Sequence, residues 1–344
     1  MSHKTLFLQQ SYEDCTRQYM ELLAKQKMPL WDYVILTASN ESQAQSYRMQ
    51  IQYRLDHGML PKSIHYAVLP DPDGKRVGSG GATLNVLRYI HQDAGSFDDK
   101  RILVIHSGGD SKRVPQYSAC GKLFSPVPRL LPNGRRSTLF DEFMISMCGV
   151  AARIRAGMLV CSGDVLLLFN PLQIDFYGNG AAALSIKEPA EIGKNHGVYR
   201  VDEQGNVGGF LHKKTVDQLH ELQAADENGN VDIDTGAVIM DTDLLKALYK
   251  LVDTPEQFDA YVNENTRLSF YADFLYPLAS QSSLEQYYKE TPEGDFTPEL
   301  HECRMKLWEV LHTFHMKLIR MSPAAFIHFG TTKELRHLMT ERMG

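Results

Sequence analysis

Short, mainly apolar runs separated by helical stretches constrain this chain more than any other feature: WDYVILTAS, RILVIH, MLVCSGDVLLL and AAALSIKE. A strand with one wet face alternates apolar and polar residues. A strand buried on both faces does not, and such strands belong to parallel sheets covered by helices on either side. Between the runs, residues 11–27, 41–57 and 82–91 read as helices and residues 63–69 as a further strand. Strands alternating with helices imply parallel pairing through right-handed crossovers, hence an α/β protein with a mostly parallel, mixed sheet.

The alternation continues with a helix over 139–156, a glycine-punctuated β-like stretch HGVYRVDEQGNVGGFLHKK, the segment DIDTGAVIMD, and helices over 242–252 and 255–262. From about residue 284 the character changes to a polar segment with PEGDFTP, a helix over 301–312 and a β-like piece AAFIHFG. These shifts divide the chain into a core over 1–283 and a small helical and β segment over 284–344. No internal repeat and no low-complexity tract interrupts it.

At 344 residues, 43% hydrophobic and 23% charged, the chain can bury a sizeable core. No apolar run reaches eighteen residues, and the start MSHKTLFLQQSYEDC lacks the zones of a secretory signal, so the expectation is cytoplasmic, with neither membrane nor export. Five cysteines, Cys15, Cys120, Cys148, Cys161 and Cys303, stand without a CxxC pair, which fits thiols used as small core residues. A formal charge of −6 with dispersed basic residues argues against a nucleic-acid surface, which needs a concentrated positive stripe. Anionic ligands must then be met in a local pocket.

The segment SGGDSKRVPQYSACGKLFSPVP, directly after RILVIH, has the residues for that. Gly108 and Gly109 let backbone N–H groups approach a phosphate, and Ser111 adds a hydroxyl donor. Arg113 and Lys122 bring positive charge, and Pro115 and Pro126 stiffen the loop. Taken alone, the glycine pair also reads as a plain turn with solvated cations. It is neither a Walker A loop nor GxGxxG. A second loop, RVGSGGATLNVL, supplies Gly78, Ser79, Gly80 and Gly81 before a helix whose first amides could receive a phosphate or a base edge. Its plainer reading is a helix start capped by Ser79 or Thr83.

These stretches resemble the fucose-1-phosphate guanylyltransferase family, which also forms the N-terminal part of bifunctional fucokinases. The resemblance is carried by GSGGATLNVL at 78–87, IHSGGDSKRVPQYSACGKLFSPVP at 105–128, CSGDVLL at 161–167 and KNHGVY at 194–199. DIDTGAVIM at 232–240 and FIHFGTTKEL at 326–335 are weaker echoes. It implies a GT-A/Rossmann-like nucleotidyltransferase core that joins GMP from GTP to L-fucose 1-phosphate with release of pyrophosphate. The wider G-G-x-x-x-R…P…K signature maps onto Gly108, Gly109, Arg113, Pro115 and Lys122, but two strands later than in the wider superfamily. Family members continue into a β-helix and, in bifunctional forms, a GHMP-type kinase domain, so this chain is expected to be part of something longer.

Asp164, at the end of a strand, is the expected Mg²⁺ ligand, with Asp234 as second carboxylate and Asp273 in reserve. For Asp164 and Asp234 alike, a turn-forming role is the plainer alternative. Lys187, His196, Gly197 and Lys213 fall where the sugar phosphate is expected, although each alone reads as a surface residue. His312 and His315 read as a polar helix face rather than a metal pair. The competing functions are a catalytically silent nucleotide-binding or structural domain, and a nucleotidyltransferase for another sugar 1-phosphate.

Overall fold

The structure, a computed structural model, describes residues 2–25, 29–108, 121–131, 133–178, 180–328 and 336. Its strands in chain order are β1 (Tyr33–Ala38), β2 (His65–Pro70), β3 (Arg101–His106), β4 (Pro126–Leu130), β5 (Arg136–Thr138), β6 (Gly157–Ser162), β7 (Val165–Leu168), β8 (Gly180–Pro189), β9 (Gly197–Val201), β10 (Val207–His212), β11 (Asn230–Met240), β12 (His315–Arg320) and β13 (Ala325–His328). The long helices of the first half are α1 (His3–Lys25), α2 (Glu41–Asp56), α3 (Gly78–Ala94) and α4 (Leu139–Met147).

Among the described residues nine strands form one mixed sheet. β2, β1, β3 and β6 lie side by side, all parallel. The apolar runs dictate this: in β3, Leu103 and Ile105 enter one core cluster with Tyr47 of α2 and Phe140 of α4. Ile102 and Val104 enter the other, with Leu84 and Leu87 of α3. Successive side chains point to opposite faces, and both faces are dry.

The second half of the sheet is antiparallel apart from β12, which pairs parallel with β8. β11 runs against β6 and β9 along one edge and against β8 along the other. β9 and β10 form a hairpin. Between Asp234 and Ala237 the β11–β8 register slips, a bulge at Thr235 and Gly236 that turns the Asp234 side chain back onto its own backbone.

The expected elements are present, with differences, and β4, β5 and β12 come in addition. MLVCSGDVLLL is two strands, because the SGD turn breaks it: β6 stays in the main sheet and β7 pairs with β13. The helix expected over 139–156 closes at Met147 and is followed by a 3₁₀ turn at Ala151–Arg153. Residues beyond 284 contact the core. β12 adds a strand parallel to β8, and Arg304, on the helix Pro298–Leu311, meets Asp273 at 2.8 Å with both side chains almost fully buried. Asp273 is therefore half of an internal ion pair, which removes it as a reserve metal ligand. His312 is stacked on Trp308 at the end of that helix and His315 opens β12, so the two do not share a helix face.

Candidate active site

The parallel strands β1, β3 and β6 end along one edge, where open α/β sheets present ligand chemistry. Ser107, just beyond β3, donates through Oγ to Thr37 O at 2.7 Å and through its amide to Thr37 Oγ1 at 3.2 Å. The Tyr47 hydroxyl donates to Ser107 O at 3.0 Å. Gly108 thus lies against the backbone of Ala38 and Ser39. Where the chain is next described, Gly121 rests on the same tyrosine: its φ is +71°, and a Cβ there would fall 2.0 Å from Tyr47 Oη. Both ends of the loop are therefore pinned to α2. Gly109, Ser111, Arg113 and Pro115 lie outside the described residues.

Lys122 opens a 3₁₀ turn whose next residues, Leu123 and Phe124, are buried. With the turn anchored by its apolar side, the Lys122 ammonium reaches across the strand ends to Asp164 Oδ2 at 3.2 Å. Asp164 sits in the turn between β6 and β7, and Gly163 ties that turn to the end of β3 through its amide and His106 O, 2.9 Å apart. Ser162 Oγ donates to Asp164 Oδ1 at 2.8 Å, and His328 Nε2 stands 3.7 Å from Oδ2. Burial works against ionisation of Asp164, but His328, Lys122 and Ser162 outweigh it and hold the carboxyl below the usual range.

Asp234 is the contrasting carboxylate. Its Oδ1 accepts from Tyr199 Oη and from the Gly236 amide, each at 2.8 Å, while Oδ2 accepts no hydrogen bond among the described residues. Burial pushes its pKa up, and those two donors only partly offset the rise. Burial, and after it the charges of Asp234 and Asp164, raise the pKa of the Tyr271 hydroxyl. The turn-forming role weighed for both aspartates holds for each Oδ1, while Asp164 Oδ2 meets Lys122.

These donors fit Mg²⁺. The ion takes oxygen ligands, needs only one or two protein carboxylates and completes its shell with phosphate and water. Among the described residues no group of three or more His, Cys, Asp or Glu is placed to hold a metal by itself. Asp164, ionised, and Asp234, with an open oxygen, are the residues that would do so together with substrate oxygens.

The start of α3 is used differently from the sequence expectation. Gly78 has φ +77° and a Cβ there would lie 2.2 Å from Leu268 O, so this glycine serves close packing. The Gly80 amide donates to Leu268 O at 2.7 Å, and a Cβ on Gly81 would crowd Val77. The Ser79 amide donates to Glu293 Oε2 at 3.3 Å. A carboxyl group does occupy the helix start, but the chain supplies it. α3 still meets the site edge, because Thr83 Oγ1 and His106 Nε2 are 3.0 Å apart at the end of β3.

On the acceptor side the predicted residues separate. Lys187 pairs with Asp226 at 2.7 Å and lies 3.9 Å from Asp232, whose carboxylate also takes two bonds from Arg320. It is part of a charged network on β8 and β11. Lys213 is exposed with φ +47°, and its amide donates to His196 O at 3.2 Å. Gly197 packs against Asp234, where a Cβ would come 3.1 Å from Asp234 Cβ. His196 alone of these four directs its ring toward the Asp164 neighbourhood, 6.1 Å between centroids from His328. The residues that sequence reasoning missed are His328, Ser162 and Tyr271. His328 lay inside the FIHFGTTKEL stretch, but only its strand pairing puts it in the site.

Fold and site together define an open-sheet α/β protein with a cation–carboxylate cleft at the C-terminal ends of its parallel strands. Residues 94–344 match the Fucose pyrophosphorylase domain. The chain belongs to this fucose pyrophosphorylase family. It is 28% identical over 352 aligned positions to a mouse (Mus musculus) fucose-1-phosphate guanylyltransferase, covering 92% of this chain and 58% of that protein. Identity is also 28% over 355 positions to the bifunctional fucokinase/GDP-fucose pyrophosphorylase of Arabidopsis thaliana, covering 92% and 32%. The chain thus spans little more than half of the first relative and about a third of the second. A solved structure of HddC from Yersinia pseudotuberculosis complexed with GMP-PN overlays with TM-score 0.40 at 12% identity, over 90% of this chain and 98% of that one.

Proposed function

We propose that this chain is a sugar-1-phosphate nucleotidyltransferase that transfers GMP from GTP to L-fucose 1-phosphate, giving GDP-fucose and pyrophosphate. The observation that carries it is the Lys122–Asp164 contact at the C-terminal edge of the sheet, in a chain of the fucose pyrophosphorylase family. GTP as donor and fucose as sugar rest on the family and on the names of its relatives.

A phosphate oxygen of the sugar 1-phosphate attacks the α-phosphorus of GTP in line, the bond to the bridging oxygen breaks, and the electron pair leaves with pyrophosphate. Such a transfer asks for positioning and charge neutralisation rather than covalent catalysis. Lys122 neutralises charge at the α-phosphoryl group, held in place beforehand by Asp164 and by its buried neighbours Leu123 and Phe124. Arg113 has the companion role implied by the family signature, and the amides of Gly108 and Gly109 with Ser111 cradle the triphosphate. Asp164 and Asp234 would hold Mg²⁺, which when bound supplies positive charge to the triphosphate. His196 faces the acceptor.

A cytoplasmic setting goes with this reading. Among the described residues no helix is long and apolar enough to cross a membrane. Two relatives named as joining fucokinase to this activity support a kinase domain as its partner.

Incubation of the full chain with Mg²⁺, L-fucose 1-phosphate and each nucleoside triphosphate in turn, followed by a pyrophosphate assay, tests the proposal. The expected result is release dependent on the sugar phosphate and fastest with GTP. Silence with all four nucleotides would sink it and leave the silent-domain alternative.

A further inference from the structure

Among the described residues β2 is an edge of the main sheet: β1 pairs with it on one side and no strand on the other. Successive residues of a strand turn their backbone groups to opposite sides. The amides of His65 and Asp71 donate to Asp32 O and Ala38 O, at 2.9 and 2.8 Å. Odd-numbered residues therefore address β1, and Ile64, Tyr66, Val68 and Pro70 address the open side.

Part of that side is closed by the chain itself. Arg48 Nη2 donates to Val68 O at 3.0 Å, and Asn85 Nδ2 to Pro70 O at 3.4 Å. Pro70 has no amide hydrogen, and the Ile64 amide turns back to Pro61 O at 3.5 Å. Four groups on the open side meet no partner among the described residues: Ile64 O, the Tyr66 amide and carbonyl, and the Val68 amide.

An uncovered edge is a template for another strand, and these four groups are self-complementary. In an antiparallel pair centred on Tyr66, its amide and carbonyl exchange bonds with the same groups of a second copy. Each Val68 amide then meets the Ile64 carbonyl opposite. The two groups this register would leave over, the Val68 carbonyl and the Ile64 amide, are ones the chain already bonds internally. Centring on Val68 instead would compete with Arg48 for its carbonyl.

The side chains agree with the same axis. β1 and β2 are parallel, so α2 between them runs antiparallel to β2. Arg48 sits at Val68, and Asp56, two turns further on, lies toward the Ile64 end. Both line a groove of about 840 Å³ along this edge. A twofold axis at Tyr66 puts Val68 opposite Ile64 of the second copy, hence Arg48 opposite its Asp56. Symmetry makes that meeting of opposite charges occur twice.

We propose that this edge is a dimer interface: a second copy of the chain pairs its β2 antiparallel to β2 about a twofold axis at Tyr66, with Arg48 of each copy facing Asp56 of the other. The main sheet then runs continuously through both copies, and the residues assigned to the reaction take no part.

Sedimentation equilibrium of the full chain over a concentration series tests this. Wild type is expected to reach twice the chain mass. Asp56→Arg sets arginine against arginine at both ends of the junction, and Arg48→Glu sets carboxylate against carboxylate, so each should raise the dimer Kd at least tenfold. The double variant Arg48→Glu/Asp56→Arg restores opposite charges and should return to within about threefold of wild type. Val68→Pro removes an amide that bonds nothing in the single chain, at an edge position where proline is tolerated. It should leave a monomer with the far-UV circular dichroism of wild type; if it fails to fold, the charge series decides. Wild type that stays single up to its solubility limit, a dimer indifferent to Asp56→Arg, or a double variant that does not recover would each overturn the interface.

Discussion

The Lys122 ammonium and the Asp164 carboxylate meet at 3.2 Å across the ends of strands, although 42 positions separate them in the chain. Each is held from behind, Lys122 by a buried turn and Asp164 by Ser162 and the β6–β7 corner. A cation fixed before substrate arrives pays no reorganisation cost at the moment of transfer.

Replacing that cation therefore removes charge stabilisation without touching the core. Lys122→Ala should lower kcat for pyrophosphate release about 10²–10³-fold, with thermal unfolding close to wild type. A variant that folds normally and keeps near-normal turnover would refute the role assigned to Lys122.

The two carboxylates should differ in their grip on the metal. Asp164 is ionised and faces the cleft, whereas burial holds Asp234 toward its neutral form. Asp164→Asn should raise the Mg²⁺ concentration for half-maximal turnover about tenfold or more, because Mg²⁺ relies on few protein carboxylates, and Asp234→Asn should raise it less. Identical Mg²⁺ titrations for both variants and wild type would remove both from the metal site.

Arg304 and Asp273 join the C-terminal helix to the core with 1% and 0% side-chain exposure. Removing one member strands the other as a buried charge, so Arg304→Met should cost about 3–5 kcal/mol in urea unfolding. The loss should be partly restored by also changing Asp273→Asn. A cost under about 1 kcal/mol, the range of exposed pairs, would show that the helix is not welded to the core.

His106 gives the fold a weakness toward acid. Burial lowers its pKa from 6.5 to about 4. Between those values the unfolded chain binds a proton that the folded chain refuses, so stability is lost as pH falls from 6.5 to 4, by up to about 3 kcal/mol. Urea unfolding at pH 7.5 and 4.5 should show a smaller drop for His106→Gln than for wild type. An equal drop would locate the acid sensitivity elsewhere.

Asp71, near the start of α3, works in the opposite sense. Burial raises its pKa to about 7, against a backbone hydrogen bond from Val77 that lowers it. The folded chain holds this proton more tightly than the unfolded one, so stability is present at low pH and is lost as pH rises from about 4 through 7. Asp71→Asn should raise Tm at pH 8 and leave it nearly unchanged at pH 4; a higher Tm at pH 4 alone would contradict the assignment.

The place of some candidate residues in the fold was legible in the sequence. Lys122 and Asp164 follow apolar runs or sit in glycine turns next to strand ends, whereas Asp234 lies within β11, at its bulge. The Gly78–Gly81 loop was legible as a helix start, but its amides were assigned to a ligand because nothing local reveals that Glu293, more than two hundred residues later, fills the place at Ser79. Lys187 looked free for the same reason, since Asp226 reaches it only once β8 and β11 pair.

The sequence alone determined which segments become buried strands and which become helices, because burial on two faces and 3.6-residue periodicity are written in neighbouring residues. Only the tertiary structure decided that β12 joins the sheet beside β8, that the SGD turn splits one apolar run into two sheets, and that β13 carries His328 to Asp164. Those outcomes depend on registers between strands far apart in the chain, and a register is selected by the collective fit of two surfaces rather than by any residue within one of them.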